Sequence, residues 1–350
     1  MQNRINWADT AKALGMYLVF CGHLLERDTV GDTWLSDTTR LIYAFHMPFF
    51  FILAGYFYRE QKVRFGSLLV QKIKTRLVPA VFFDVLTLPF WQHPYTWGIT
   101  NVDPENVHLH LWLLARGVPN LNWPCWFLVC LFVAEMLASE IIPVLTTRLR
   151  QLAAIVVIYI AGRMLTDNYD ATAVTLGISS PWWFAQEAVV ALSFYLAGVF
   201  LKQQAGILLP GKRLSWLLLL AALPVYLYSG LTNFATGGHV NMSSAGHGSW
   251  LLFPLGAIAG SLILIHLSAA LPLTALLRYI GNNTLPLLGL NGFLLHFFNG
   301  FIYDACRQIA PEGAGLLVVL ALAAALSLLA CLPLVYLLDK AVPFLIGKWR

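Results

Sequence analysis

Asp9, Lys12 and His23 stand inside the first apolar segment, Trp7 to Leu25, which otherwise reads as a transmembrane helix. Ionisable side chains are expensive in hydrocarbon, and where they occur they line a cavity or pathway. Lys12 and His23 are close to three helical turns apart, so they share one face, roughly 16 Å apart along the axis. Asp9 lies one turn before Lys12 on nearly the same stripe. A cation near one membrane surface and an imidazole near the other suit a site that reaches through the bilayer. Imidazole is the side chain best matched to proton transfer near neutral pH, which makes His23 the first catalytic candidate. The plain alternative is a structural histidine bonded within the bundle. Lys12 needs an anion. Asp9 would supply one locally, and a phosphate from a cytosolic cofactor would supply one functionally. Lys72, Lys74 and Arg76 form a basic loop that would help hold such a phosphate, and that also reads as a topology signal.

A second histidine, His46, opens Phe45-His46-Met47-Pro48-Phe49-Phe50-Phe51 in the next apolar stretch. That stretch returns from the outside, which puts His46 at a depth similar to His23. Pro48 loosens the helix there, a break tolerated where backbone lines a cavity. Two imidazoles without a third ligand do not make a metal site, and no metal is expected. Glu135 and Glu187 are the carboxylates best placed in apolar runs to fix the His23 tautomer and stabilise its imidazolium. Asp84, His266 and His296 are further ionisable groups in the spans. Trp126 belongs to an aromatic cluster that reads either as an interfacial belt or as a sugar-stacking surface.

The elements that must position these groups are membrane helices. The chain of 350 residues is 59% hydrophobic and 11% charged, against about 25% charged in soluble domains. Leu214–Leu277 and Gly313–Leu338 hold no Asp, Glu, Lys or Arg, and each exceeds the roughly 20 residues that cross a bilayer. We expect an all-α, polytopic protein forming one integral membrane domain over residues 1–350. About ten spans are expected, at 7–25, 40–58, 76–92, 124–144, 151–166, 182–201, 214–230, 249–268, 284–301 and 313–338. With both termini cytoplasmic, 16 of the 22 Lys and Arg fall on the cytoplasmic side, as the positive-inside rule requires. The basic excess is thus topological and points to membrane lipids rather than nucleic acid. The five cysteines are scattered and without metal spacing, which reads as buried small hydrophobes. No cleavage site follows the first segment, so an uncleaved first span is expected. Walker A, GxGxxG, GxSxG and HExxH patterns are absent, which argues against P-loop, dinucleotide, serine-hydrolase and zincin chemistry. The long outward connections, 92–123 and 229–249, carry His93, His108, His110, Asn101, Asp103, Glu105 and Asn241. They are candidate substrate-binding surface.

The block Arg4-Ile5-Asn6-Trp7-Ala8-Asp9-Thr10-Ala11-Lys12, followed by Val19-Phe20-Cys21-Gly22-His23, resembles the opening of the membrane acyltransferase-3 family. It is most similar to the branch of fucose 4-O-acetylases and other glycan O-acetyltransferases. Phe45-His46-Met47-Pro48 through Gly55-Tyr56 resembles the second-helix motif of that family. Weaker echoes are Arg76-Leu77-Val78-Pro79, Trp126-Phe127-Leu128, Gly198, Asn241-Met242, Tyr279-Ile280-Gly281-Asn282-Asn283 and His296. The resemblance implies a ten-helix enzyme of the bacterial inner membrane that moves an acetyl group from cytosolic acetyl-CoA to a hydroxyl of an extracytoplasmic or lipid-linked glycan. Lys12 stands where the family often has Arg, and the family's paired arginines appear only as Lys72, Lys74 and Arg76. Both departures keep positive charge but alter the bidentate geometry of Arg.

In that mechanism Asp9, Lys12, Lys72, Lys74 and Arg76 would grip the donor. His23 would act as general base or as a transient acyl carrier, with His46 or a loop N–H at the oxyanion. Trp126, Asn241 and His296 would meet the acceptor. The competing reading is a proton-coupled transporter or flippase of a small solute or lipid-linked sugar, since intramembrane Asp, Glu and His chains also make proton relays.

Overall fold

The computed structural model describes residues 6–28, 31–60, 64–90, 107–168, 182–204, 213–234 and 238–349. Of the positions singled out above, Arg4, His93, Asn101, Asp103 and Glu105 lie outside them. The described residues are helical: α1 Asn6–Leu25, α2 Thr33–Tyr43, α3 His46–Tyr56, α4 Phe65–Lys72, α5 Val78–Thr87, α6 Val107–Ala115, α7 Trp126–Ile141, α8 Arg148–Asp167, α9 Ala185–Gln203, α10 Arg213–Thr232, α11 Leu252–Ala270, α12 Ala275–Asn282, α13 Thr284–Phe297, α14 Asn299–Ile309 and α15 Gly313–Ala341. A π turn, Ile73–Leu77, joins α4 to α5. Each expected span falls on a helix or helix pair. Among the described residues five helical segments are long and apolar enough to cross a membrane: Trp123–Val144, α8, α9, α11 and α15. The pair α13 and α14, broken at Phe298, makes a sixth if it is one span. The polytopic architecture therefore stands on fewer uniformly apolar helices than ten. The remaining expected spans are shortened, interrupted by ionisable groups, or broken.

The stretch 40–58 is the clearest departure. A single span was expected, but the chain forms α2 and α3 with a turn at Ala44 and Phe45. Pro48 explains where it breaks. It offers no N–H to the Ala44 carbonyl, and its ring clashes with that group, so proline is tolerated only in a first turn. The helix therefore restarts at His46, two residues before Pro48. Upstream, α2 begins earlier than expected because Asp32 caps it, accepting from the Trp34 and Leu35 N–H groups at 2.8 and 3.3 Å.

The chain divides into two compact units. The first comprises Met1–Phe50, Leu201–Leu287 and Phe298–Leu334. In it α1 packs against α2, α11, α12 and α14, and α10 packs against α11. Its core includes Leu24, Leu25, Leu35, Phe49, Phe253, Ile265, Leu316 and Leu320, all under 2% exposed. The second comprises Phe51–Phe200, Leu288–Phe297 and Val335–Arg350. There α7 packs against α5 and the π turn, around Phe51, Phe83 and Leu192. Two glycines let α3 and α9 touch backbone to backbone. A Cβ at Gly55 would fall 1.8 Å from the Tyr195 carbonyl oxygen, and one at Gly198 would fall 1.9 Å from that of Ile52. Such small-residue contacts drive helix association where the surroundings are as apolar as the helices. All five cysteines are unpaired and buried.

Candidate active site

In the first unit, α1 carries the ionisable stripe expected of it. Lys12 Nζ lies 3.8 Å from Asp9 Oδ1, with the Asp9 carboxylate nearly buried and the Lys12 side chain 29% exposed. The expected local pair therefore forms at long range, and the Lys12 side chain stays partly exposed. Gly281, in the Tyr279-to-Asn283 stretch, fixes the backbone here. A Cβ on Gly281 would fall 2.2 Å from the Asp9 carbonyl oxygen, so only glycine lets α12 approach α1 this closely.

Three turns on, His23 Nδ1 is 2.9 Å from Glu26 Oε1 and 3.3 Å from Tyr43 Oη. The Tyr43 hydroxyl donates to Glu26 Oε2. These partners fix the imidazole. The one hydroxyl hydrogen of Tyr43 is committed to the carboxylate, so Nδ1 faces two oxygen acceptors and must itself carry the proton. Nε2 then holds the lone pair that a general base needs. Asn299 Nδ2 donates to the His23 carbonyl at 3.1 Å and anchors the end of α1. Gly22 is required for the same geometry: a Cβ there would sit 2.9 Å from the Tyr43 ring.

Tyr43 is the hub. Its ring centroid lies 4.7 Å from that of His46 and 4.3 Å from that of His239, and it meets His23 edge-on at 6.3 Å. His46 is buried, and its Nδ1 donates to the Ile42 carbonyl at 3.0 Å, which leaves its Nε2 as acceptor. Partial withdrawal from water pushes the Glu26 carboxyl up. The electrostatic interaction with His23, the hydrogen bonds from His23 and Tyr43, and His239 outweigh this and hold it below the usual carboxylate range. Burial, with the Arg40 guanidinium nearby, pushes His239 below the usual imidazole range against the pull of Glu26. The dyad is not sealed: the His23 and Glu26 side chains are 16% and 25% exposed.

The carboxylate that orients His23 is therefore Glu26. Glu135 and Glu187 were the candidates for this place, and the reason for the difference is local. Glu26 follows His23 by three residues and needs only the helical rise to reach it. Glu135 is engaged elsewhere, in the second unit. It accepts a bidentate pair from Arg76, at 3.0 Å to each oxygen, and lies 2.8 Å from Lys72 Nζ. Two of the three residues of the basic loop assigned to donor binding thus converge on one carboxylate. The third, Lys74, lies with its Nζ 4.5 Å from the centroid of the Trp349 ring. Glu187 is buried in the first turn of α9.

Of the residues assigned to the acceptor, Trp126 is buried against Phe127 and Phe184, and His296 Nε2 faces the Trp123 N–H at 3.4 Å. Both belong to the second unit. Asn241, in the first, closes a short loop through a bridge to Gly246 and accepts from Ser243 Oγ at 2.6 Å. Tyr43 and His239 were missed. Tyr43 carries no charge to mark it, and His239 comes from a loop nearly 200 residues downstream of Tyr43. Glu26 had a signal, its spacing from His23, but it lies one residue beyond the apolar segment. Among the described residues no three His, Cys, Asp or Glu side chains stand where they could share a metal ion.

The model of the acyltransferase domain family matches residues 5–336. No curated protein and no solved structure matches the chain.

Proposed function

This chain belongs to the acyltransferase domain family, and from that premise we propose that it moves an acetyl group from cytosolic acetyl-CoA to a hydroxyl of an extracytoplasmic or lipid-linked glycan. It is a multi-pass membrane acyltransferase. The bias of Lys and Arg supports a single membrane domain with both termini in the cytoplasm, as in a bacterial inner membrane. The observation that carries the reading is the His23 imidazole, held by Glu26 and Tyr43 with its proton on Nδ1.

In this reading the acceptor hydroxyl gives its proton to His23 Nε2 as its oxygen attacks the thioester carbonyl. Glu26 stabilises the imidazolium that forms. The carbon–sulfur bond then breaks, the imidazolium returns the proton to the departing CoA thiolate, and the products are the O-acetyl glycan and free CoA. His46, whose ring packs on that of Tyr43, is the nearby group suited to the oxyanion when protonated, or to the acceptor when neutral. Lys12, one-third exposed on the same helix, offers a cation to the donor.

The test is release of free CoA from acetyl-CoA by purified protein in proteoliposomes, with and without cell-envelope glycan. Wild-type release that is lost in His23→Ala supports the assignment. Equal release by both moves the chemistry away from His23, and no release by the wild type favours transport.

A further inference from the structure

Lys72, Lys74 and Arg76 surround the π turn Ile73–Leu77. Residues four apart return to the same side of a helical turn, and the residue between them faces the other way. Lys72 and Arg76 accordingly meet on Glu135, while Lys74 faces the segment that follows α15. There the Trp349 Nε1–H donates to the Lys74 carbonyl at 2.9 Å, and Lys74 Nζ lies 4.5 Å from the centroid of the same indole. The hydrogen bond has a definite cause. The Val78 N–H is given to the Ile73 carbonyl, as a π turn requires. Pro79, five residues after Lys74, has no N–H to give. The Lys74 carbonyl thus has no donor within the helix and takes one from the indole. Trp349 is itself braced, with Phe344 ring-to-ring at 5.9 Å and Lys348 paired to Asp339 at 2.8 Å. All these residues belong to the second unit, and Trp349 lies beyond the stretch the family model matches.

We propose that Trp349 is a positioning residue that holds the π turn in the register from which Lys72 and Arg76 meet the phosphate groups of an acyl-CoA donor. Two cations on one carboxylate leave one positive charge in excess, and that excess attracts the phosphates. The inference rests on the reading that this turn holds the donor.

The experiment measures equilibrium binding of radiolabelled acetyl-CoA to the full-length protein in detergent, with the thermal midpoint of each sample. Trp349→Ala loses both the hydrogen bond and the ring and is expected to bind about fivefold more weakly at an unchanged midpoint. Trp349→Phe keeps a ring for Lys74 and is expected to bind about twofold more weakly. Arg76→Gln reports on the donor site itself and is expected to bind at least about tenfold more weakly. Wild-type affinity in Trp349→Ala, with weakened binding in Arg76→Gln, overturns the positioning role and leaves the donor site standing. Wild-type affinity in Arg76→Gln, or no binding by the wild type, overturns both. Equal weakening in both Trp349 variants with a matching fall in midpoint makes the contact merely structural and also overturns the proposal.

Discussion

His23 and Glu26 face each other across less than one helical turn, Nδ1 to Oε1 at 2.9 Å, so the base sits in the last turn of α1 and the carboxylate that orients it on the residue just after that helix. Replacing Glu26 with Gln removes the charge that stabilises the imidazolium and permits the wrong tautomer. We expect a fall in kcat of about 10² to 10⁴ with little change in KM for acetyl-CoA, measured as CoA release. A variant with wild-type kcat would remove Glu26 from the chemistry.

Tyr43→Phe keeps the ring that His46 and His239 pack against and deletes only the hydroxyl. Nδ1 would then have Glu26 alone, and Glu26 would lose one donor. A loss of about tenfold in kcat is expected, corresponding to about 1.4 kcal/mol and typical of one hydrogen bond to a charged group. A loss as large as that of His23→Ala would instead point to a direct chemical role for the phenol.

Glu135 is 5% exposed and is the shared anion of Lys72 and Arg76. Glu135→Ala strands two cations in a partly buried place and should destabilise the second unit by about 3 kcal/mol. The check is a lowered thermal midpoint, partly recovered by the double change Glu135→Ala, Lys72→Met.

Gly55→Ala and Gly198→Ala each add a methyl where a carbonyl already sits within 2 Å. Helix α3 must then separate from α9, at a cost of about 1–3 kcal/mol or more. Both variants should show reduced yield of folded protein, whereas Gly66→Ala, whose Cβ meets nothing within 4 Å, should not.

Asp32 gives an acid limb to stability. The Gly313 N–H holds its carboxyl below the ordinary value of 3.8; slight burial opposes this, and the Leu35 and Trp34 N–H groups add to the lowering. A carboxyl with a lowered folded value stabilises above about pH 4 and loses that contribution as pH falls through the folded value. The thermal midpoint of the wild type should therefore drop between about pH 5 and about pH 3 more steeply than that of Asp32→Asn.

The legible part of this molecule was the part that hydrocarbon penalises. Asp9, Lys12, His23 and His46 are visible in sequence because few structural reasons put charge in an apolar run. The same rule misled at Glu135. It marked a costly group without saying which cations, 59 and 63 residues away, would compensate it. Glu26 was overlooked for the opposite reason. At the edge of a span a carboxylate costs little, so its proximity to His23 had to be read from spacing. Pro48 was noticed as loosening a helix, yet its consequence, a turn placing Tyr43 and His46 on two short helices, needed the backbone. His239 reaches Tyr43 only through folding, and no local pattern announces it.

The five buried, unpaired cysteines have a practical corollary. Apolar burial makes thiols inert to water-borne reagents, so the native chain should be nearly silent to impermeant maleimides in intact membranes. A single cysteine introduced at an exposed site would then report which aqueous compartment that site faces, without first stripping out the native thiols. Sidedness, inferred here from the distribution of lysine and arginine, thereby becomes directly readable on the unaltered background.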